Sequence, residues 1–184
     1  MSTTTIIGIS GNINRPSKTS MLVNVILDEI AHRHLGQTDF YDLLDAAPGS
    51  FDPGTPYGTS NHLVDAIEQA DMLVVGTPVF KGGYTGLLKH VFDLVHPDAL
   101  RGKPVILSAT GGSNRHAPVI EHHLRPLFAF FGALTVPTGI YMSASDLIET
   151  EADVRKKLGA RIETAVSQLS AWQPQAIRQV SVVA

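Results

Sequence analysis

The chain has 184 residues, 43% of them hydrophobic and 17% charged, with a formal net charge of −3 and no cysteine. That length predicts one domain with a full core, and the composition excludes a disordered chain. The missing cysteines exclude disulfides, thiolate nucleophiles, iron–sulfur clusters and Cys-ligated zinc. A sequence pI near 6.2 speaks against nucleic acid as a partner, since phosphate-backbone binding needs a basic patch. No apolar run approaches the roughly 20 residues of a membrane span, and Met1–Thr5 lacks the basic start of a secretory signal. The expectation is a soluble, cytoplasmic protein with no membrane partner.

In chain order, residues 4–10 form a short β-branched run that predicts a buried strand. Residues 18–35 place Met21, Leu22, Val25, Ile26, Ile30 and Leu35 at helical spacing, with Ser17 as the cap. Residues 38–43 predict a second, more polar strand nearer an edge. The Gly- and Pro-containing stretch 46–60 predicts a long loop, and 61–70 a short helix. Residues 72–77 are almost uniformly apolar, as in a strand covered on both faces. There follow a helix over 84–95, a strand over 104–110, a helix over 118–131, a fifth strand over 134–141 and a helix over 151–172. Five strands alternating with helices predict an α/β, doubly wound parallel sheet with helices on both faces. It forms one domain over 1–173, with a tail over 174–184.

In such a sheet a ligand sits beyond the carboxyl ends of the strands, and three loops there are unusual. The first, Ser10 to Ser20, brings hydroxyls, Arg15 and Lys18 to the start of a helix, where backbone N–H groups and the helix dipole favour an anion. The same Ser and Thr residues also suit a plain helix cap. Three familiar motifs fail here. Ser10 stands where a dinucleotide fingerprint needs its second glycine, Pro16-Ser17-Lys18 lacks the glycine of a P-loop, and Gly8-Ile9-Ser10-Gly11-Asn12 lacks the final glycine of a nucleophile elbow. The second loop, Thr77 to Gly86, has a strand-stopping Pro78 and the pair Gly82-Gly83. It reads as an ordinary turn or as a close backbone approach to a flat ligand. The third, Thr110 to His116, carries Gly111-Gly112, whose N–H groups suit a carbonyl or a charge-rich ring edge. Three such loops on one sheet edge predict a ligand site. The eight histidines include no H-x-x-x-H pair, and no metal site is expected. Lys89 and Asp93, one helical turn apart, predict a local ion pair.

These loops resemble the NADPH-dependent FMN reductase family. The family pattern is G-S-P-R-x-P-S-x-S after strand one, T-P-[IV]-[YF]-K-x-x-Y-[ST]-G-x-[LF]-K after strand three and A-T-G-G-[ST] after strand four. Here these read Gly11–Ser20, Thr77–Lys89 and Ala109–Ser113. The likeness runs over roughly residues 5–145 and is nearest to the reductases of two-component alkanesulfonate and methanesulfonate monooxygenases. It departs at Asn12-Ile13-Asn14, in place of Ser-Pro-Arg, and at Gly82-Gly83, where bulkier residues are usual.

The resemblance implies a flavodoxin-like fold with strand order 2-1-3-4-5. It implies FMN and NADPH (or NADH) as cofactors, with hydride transfer between them and no catalytic side chain. Ser10, Arg15, Ser17, Thr19 and Ser20 would hold the FMN phosphate. Pro78, Val79, Phe80 and Lys81 would line the ring and ribityl chain, and Thr110, Gly111, Gly112 and Ser113 the pyrimidine edge. It further implies a monooxygenase partner and a homotetramer, a dimer of dimers. In the mostly apolar helix 118–131, His122 aligns with an inserted residue that makes a π-bulge at the tetramer interface and would modulate flavin transfer. The plainer reading of His122 and His123 is that they fill core or interface positions. Two other activities stay open: a quinone, azo-dye or metal-ion reductase that keeps its FMN bound, and a flavodoxin-type electron carrier without enzyme activity.

Overall fold

The β-branched runs Thr5–Ser10 (β1), Met72–Pro78 (β3) and Pro104–Gly111 (β4) form the buried centre of a parallel sheet. Strand Gln37–Asp42 (β2) lies at its edge beside β1, with most of its side chains at least partly exposed. The computed structural model describes residues 4–46, 62–146 and 148–170, so the stretch 47–60 of the predicted loop and the tail over 174–184 lie outside the described residues. The strands run in the order β2-β1-β3-β4-β5, the flavodoxin-like order.

Side chains alternate across the sheet and build a core on each face. Ile7, Ile9, Leu73, Val75 and Leu107 pack with helices His62–Gln69 (α3) and Gly86–Leu94 (α4) and with the segment around Phe128. Ile6, Val74 and Ile106 pack on the other face with helices Lys18–His32 (α1) and Glu151–Ser170 (α6). Among the described residues no helix is long and apolar enough to cross a membrane.

Several elements differ from the sequence expectation. The fifth strand is two pieces, Leu134–Thr135 (β5) and Ile140–Ser143 (β6), both parallel to β4. Pro137 has no N–H to give the ladder, and Thr138 donates its N–H to Gln168 Oε1 instead, at 2.9 Å. The pairing offset therefore changes from 30 residues at Val105↔Thr135 to 32 at Ser108↔Ile140.

The helix expected over 118–131 begins as a 3-10 turn, Asn114–His116, continues as a π turn, Ile120–Leu124, and becomes α-helical only over Arg125–Phe130 (α5). In the π turn the Arg125 N–H reaches the Ile120 carbonyl, five residues back. A one-turn helix, Leu43–Ala46 (α2), follows β2, and α1 ends at His32, short of Leu35.

Gly76 fixes how closely α1 can approach the sheet. A Cβ there would lie 2.5 Å from Val23 Cγ2 and 2.9 Å from Ser108 Oγ. Replacement by alanine overpacks this layer, and Gly76→Ala is expected to cost about 1–3 kcal/mol. Thermal unfolding would register this as a lowered midpoint, and an unchanged midpoint would refute the close packing of α1 on β3.

Candidate active site

The carboxyl ends of β1, β3 and β4 bring the three loops together, and buried hydroxyl groups join them. Ser17 caps α1 by accepting from the Ser20 N–H at 3.1 Å, so the capping role read from the sequence is real. The Ser20 hydroxyl lies 2.9 Å from Ser10 Oγ and 3.1 Å from Asp42 Oδ2. Ser10 is 0% exposed and its hydroxyl also reaches Asn12 Oδ1, at 3.3 Å. Thr19 and Thr110, 2% and 7% exposed, are hydrogen-bonded to each other at 2.7 Å. Of the residues expected at a phosphate, then, Thr19 uses its hydroxyl to join the first loop to the third.

The second loop is a tight hairpin turn. Phe80 and Gly83 exchange both backbone hydrogen bonds, at 2.9 and 3.0 Å, and the two residues between them, Lys81 and Gly82, both have positive φ, 50° and 88°. This is the arrangement of a type I′ turn. It places the left-handed backbone at Lys81 and Gly82, whereas the sequence suggested Gly82 and Gly83. Lys81 bears the steric cost of its own Cβ there. Thr85 then caps α4, accepting from the Leu88 N–H at 3.2 Å and donating its hydroxyl to the Gly11 carbonyl at 2.6 Å. The His123 ring meets Tyr84 edge-on, with centroids 6.2 Å apart. His122 and His123 are both exposed on the single chain, so neither fills the core.

The third loop borders a cleft of about 250 Å³, lined by Pro78, Val79, Thr110, Gly111 and Gly112 together with Lys18, Met142, Ser143 and Ala144. Five of the residues expected at the ring thus share one cavity. Phe80 and Lys81 stand outside it on the hairpin, as do Ser10, Arg15, Ser17 and Ser20 on the first loop. Met142–Ala144 escaped the sequence reading, although they end the strand next to β4, where a switch-point argument could have found them. Asp42 was also missed, at the carboxyl end of β2.

Arg15 is one of two cations in the first loop, with Lys18. It pairs with Asp45 and lies 3.6 Å from Asp42, and the hydrogen bond and charge of Asp45 raise its pKa above the usual arginine value. Lys18 pairs with Glu149 at 2.8 Å. Lys89 and Asp93 form the expected ion pair on α4. The positive end of α1 and Arg15 suit an anion, while Asp42 and Asp45 oppose one.

A family model described as NADPH-dependent FMN reductase matches residues 4–147. The chain belongs to this family. It is 41% identical over 172 residues to the NADH-dependent FMN reductase SfnF of Pseudomonas putida, covering 91% of each chain. It is 40% identical to an FMN reductase (NADPH) of Pseudomonas aeruginosa, covering 89% of each. Among solved structures, an oxidoreductase from Corynebacterium diphtheriae superposes with a TM-score of 0.81 at 31% identity, over 92% of this chain and 96% of that one. The apo form of an NADH:FMN oxidoreductase superposes at 0.79 and 28% identity, over 94% and 93%.

The residues present fit the flavin that a member of this family reduces. A Cβ on Gly112 would meet nothing within 4 Å, so the third loop leaves the cleft open at that wall. In the third loop Ser113 Oγ is buried without a hydrogen-bond partner.

The Thr19–Thr110 bond makes a separable prediction. Thr19→Val strands the buried Thr110 hydroxyl and is expected to cost about 1–3 kcal/mol. Replacing both threonines by valine is expected to cost less than the two single changes together. Urea unfolding of the four proteins measures this, and strict additivity would show that the two hydroxyls are not coupled.

Proposed function

We propose that this chain transfers a hydride from NADPH or NADH to FMN and supplies reduced FMN to a two-component, flavin-dependent monooxygenase of the sulfonate, sulfur-assimilating type. The observation that carries the reading is the meeting of three loops, one at a helix N-terminus and one rich in open glycine, at the edge of a sheet whose chain belongs to an FMN reductase family.

FMN is a substrate here, and it supplies the hydride-accepting ring. The N–H groups of the first turn of α1, with Arg15, Ser10, Ser17, Thr19 and Ser20 around them, hold its phosphate. Pro78, Val79, Phe80 and Lys81 flank the ring and ribityl chain. The N–H groups of Thr110–Ser113 face the pyrimidine edge, where negative charge grows on reduction. Nicotinamide and flavin carry the chemistry between them, so no side-chain acid, base or nucleophile is needed. The relatives' names divide between NADH and NADPH, and either nucleotide is compatible with this site.

The assembly is a homotetramer, a dimer of dimers, in which the π turn carrying His122 lies at a subunit contact and modulates flavin transfer. Phe130, 72% exposed on the same segment, supports an apolar contact there. The site works in the cytoplasm.

Steady-state oxidation of NADPH and of NADH, with and without micromolar FMN, tests the activity. Turnover that depends on free FMN is expected. Turnover with a quinone alone would favour a reductase that keeps its flavin, and no nucleotide oxidation would favour an electron carrier. Arg15→Ala is expected to raise the KM for FMN roughly tenfold, as loss of a charged hydrogen bond does, with kcat at saturating FMN changed much less. Unchanged FMN affinity would remove Arg15 from the phosphate site. A chain that sediments as a monomer at micromolar concentration would remove the tetramer.

A further inference from the structure

The third loop has two sides. Gly111 and Gly112 face the cleft, and behind them lies a side chain from a strand remote in sequence. Tyr141, on β6, pairs in register with Ala109, and its ring packs against the core beneath the α4 face. Its hydroxyl donates to the Ser113 carbonyl at 2.7 Å, across 28 residues of chain. That carbonyl already closes the 3-10 turn by accepting from the His116 N–H at 3.1 Å, so the tyrosine adds a second donor to an oxygen at the end of the glycine pair.

The fit around this hydroxyl is close. A Cβ on Gly111 would stand 2.4 Å from Tyr141 Oη and 3.3 Å from both His116 Cβ and His116 Nδ1. Glycine at 111 is therefore required by the tyrosine beneath it. The hydroxyl sits between the Gly111 backbone on one side and the Ser113 carbonyl on the other. Beside it, Ser113 Oγ and His116 Nδ1 are both buried without a hydrogen-bond partner. The phenol is protonated at neutral pH even at its ordinary pKa, and burial, helped by the charge of Asp146, pushes that pKa further up.

We propose that Tyr141 is a positioning residue for the flavin: its hydroxyl sets the height of the Gly111–Ser113 peptides, so that their N–H groups meet the polar pyrimidine edge of the ring. The proposal rests on the FMN reading of the cleft and adds to it a residue that lies outside the cleft lining. Tyr141 touches neither substrate and acts through the loop it supports.

The test compares wild type with Tyr141→Phe, Gly111→Ala and the double variant, measuring FMN dissociation by quenching of flavin fluorescence, the visible spectrum of bound FMN, kcat and the thermal midpoint. Tyr141→Phe keeps the ring and removes one neutral hydrogen bond, so FMN binding is expected to weaken about two- to tenfold, with a shifted flavin spectrum and kcat at saturating FMN within about twofold. Gly111→Ala drives a methyl group into the hydroxyl and is expected to weaken binding further. Adding Tyr141→Phe to it removes the obstructing oxygen, so the double variant is expected to bind FMN better than Gly111→Ala alone. The same tyrosine change thus harms one background and helps the other.

Ile162→Val, a core change on the opposite face, serves as the control for a general loss of stability and is expected to leave FMN affinity unchanged. Equal FMN affinity in wild type and Tyr141→Phe overturns the proposal alone, as does an FMN affinity in Ile162→Val lowered as far as in Tyr141→Phe. Wild-type protein that leaves flavin fluorescence unquenched overturns the FMN reading and this proposal with it.

Discussion

The Thr85 hydroxyl, donating to the Gly11 carbonyl at 2.6 Å, is the constraint on which the site depends. Gly11 begins the first loop and Thr85 caps α4 after the second, 74 residues later, so one short bond sets the distance between two of the three loops. The Thr19–Thr110 bond does the same between the first and the third. Both are buried, where a hydrogen bond is stronger and an unpaired hydroxyl costs more than at the surface. A frame of this kind resists small displacements, which suits a site whose work is to hold two rings in register. It also explains why several residues that look like ligand contacts in the sequence are committed to protein partners. Threonine and serine at strand ends can serve a ligand or a neighbouring loop, and sequence alone does not separate the two uses.

The electrostatics of the first loop are divided. In the proposed reading the helix N-terminus and Arg15 receive a phosphate, but the guanidinium already has Asp45 as a partner and Asp42 nearby. A dianion that engages Arg15 must share or displace a carboxylate. Exposed ion pairs of this type are screened by solvent and worth little, so the competition does not block an anion, although it does take something from its affinity. In the proposed reading, in which reduced FMN leaves, such a site serves better than one with an unopposed cation.

Much of the fold was legible in the residues. The β-branched runs at Ile6–Ile9, Met72–Val75 and Val105–Leu107 alternate between two cores, and the helical spacing in α1 and α4 follows directly from which positions are apolar. The three loops were legible too, through their glycine, proline and hydroxyl content. What escaped was set by tertiary packing. Nothing local in Lys81 announces a positive φ, because the hairpin imposes it by closing Phe80 onto Gly83. The π turn depends on one carbonyl, that of Ile120, reaching the N–H five residues on instead of four, and an apolar pattern reads nearly the same either way. Tyr141 reads as an ordinary strand residue until its hydroxyl is seen beneath Gly111.

That last placement has its own cause in the chain. At the pairing offset of Val105↔Thr135 the residue opposite Ala109 would be Gly139, which has no side chain to reach the third loop. Pro137 cannot join the ladder, and the interruption it makes advances the pairing by two residues, bringing Tyr141 opposite Ala109. A slip of two preserves the face that each side chain points to, where a slip of one would have turned them all over. The interruption therefore leaves the core pattern of β6 intact while exchanging a glycine for a tyrosine under the glycine pair. A proline more than twenty residues from the loop in sequence thereby decides which side chain hydrogen-bonds beneath it.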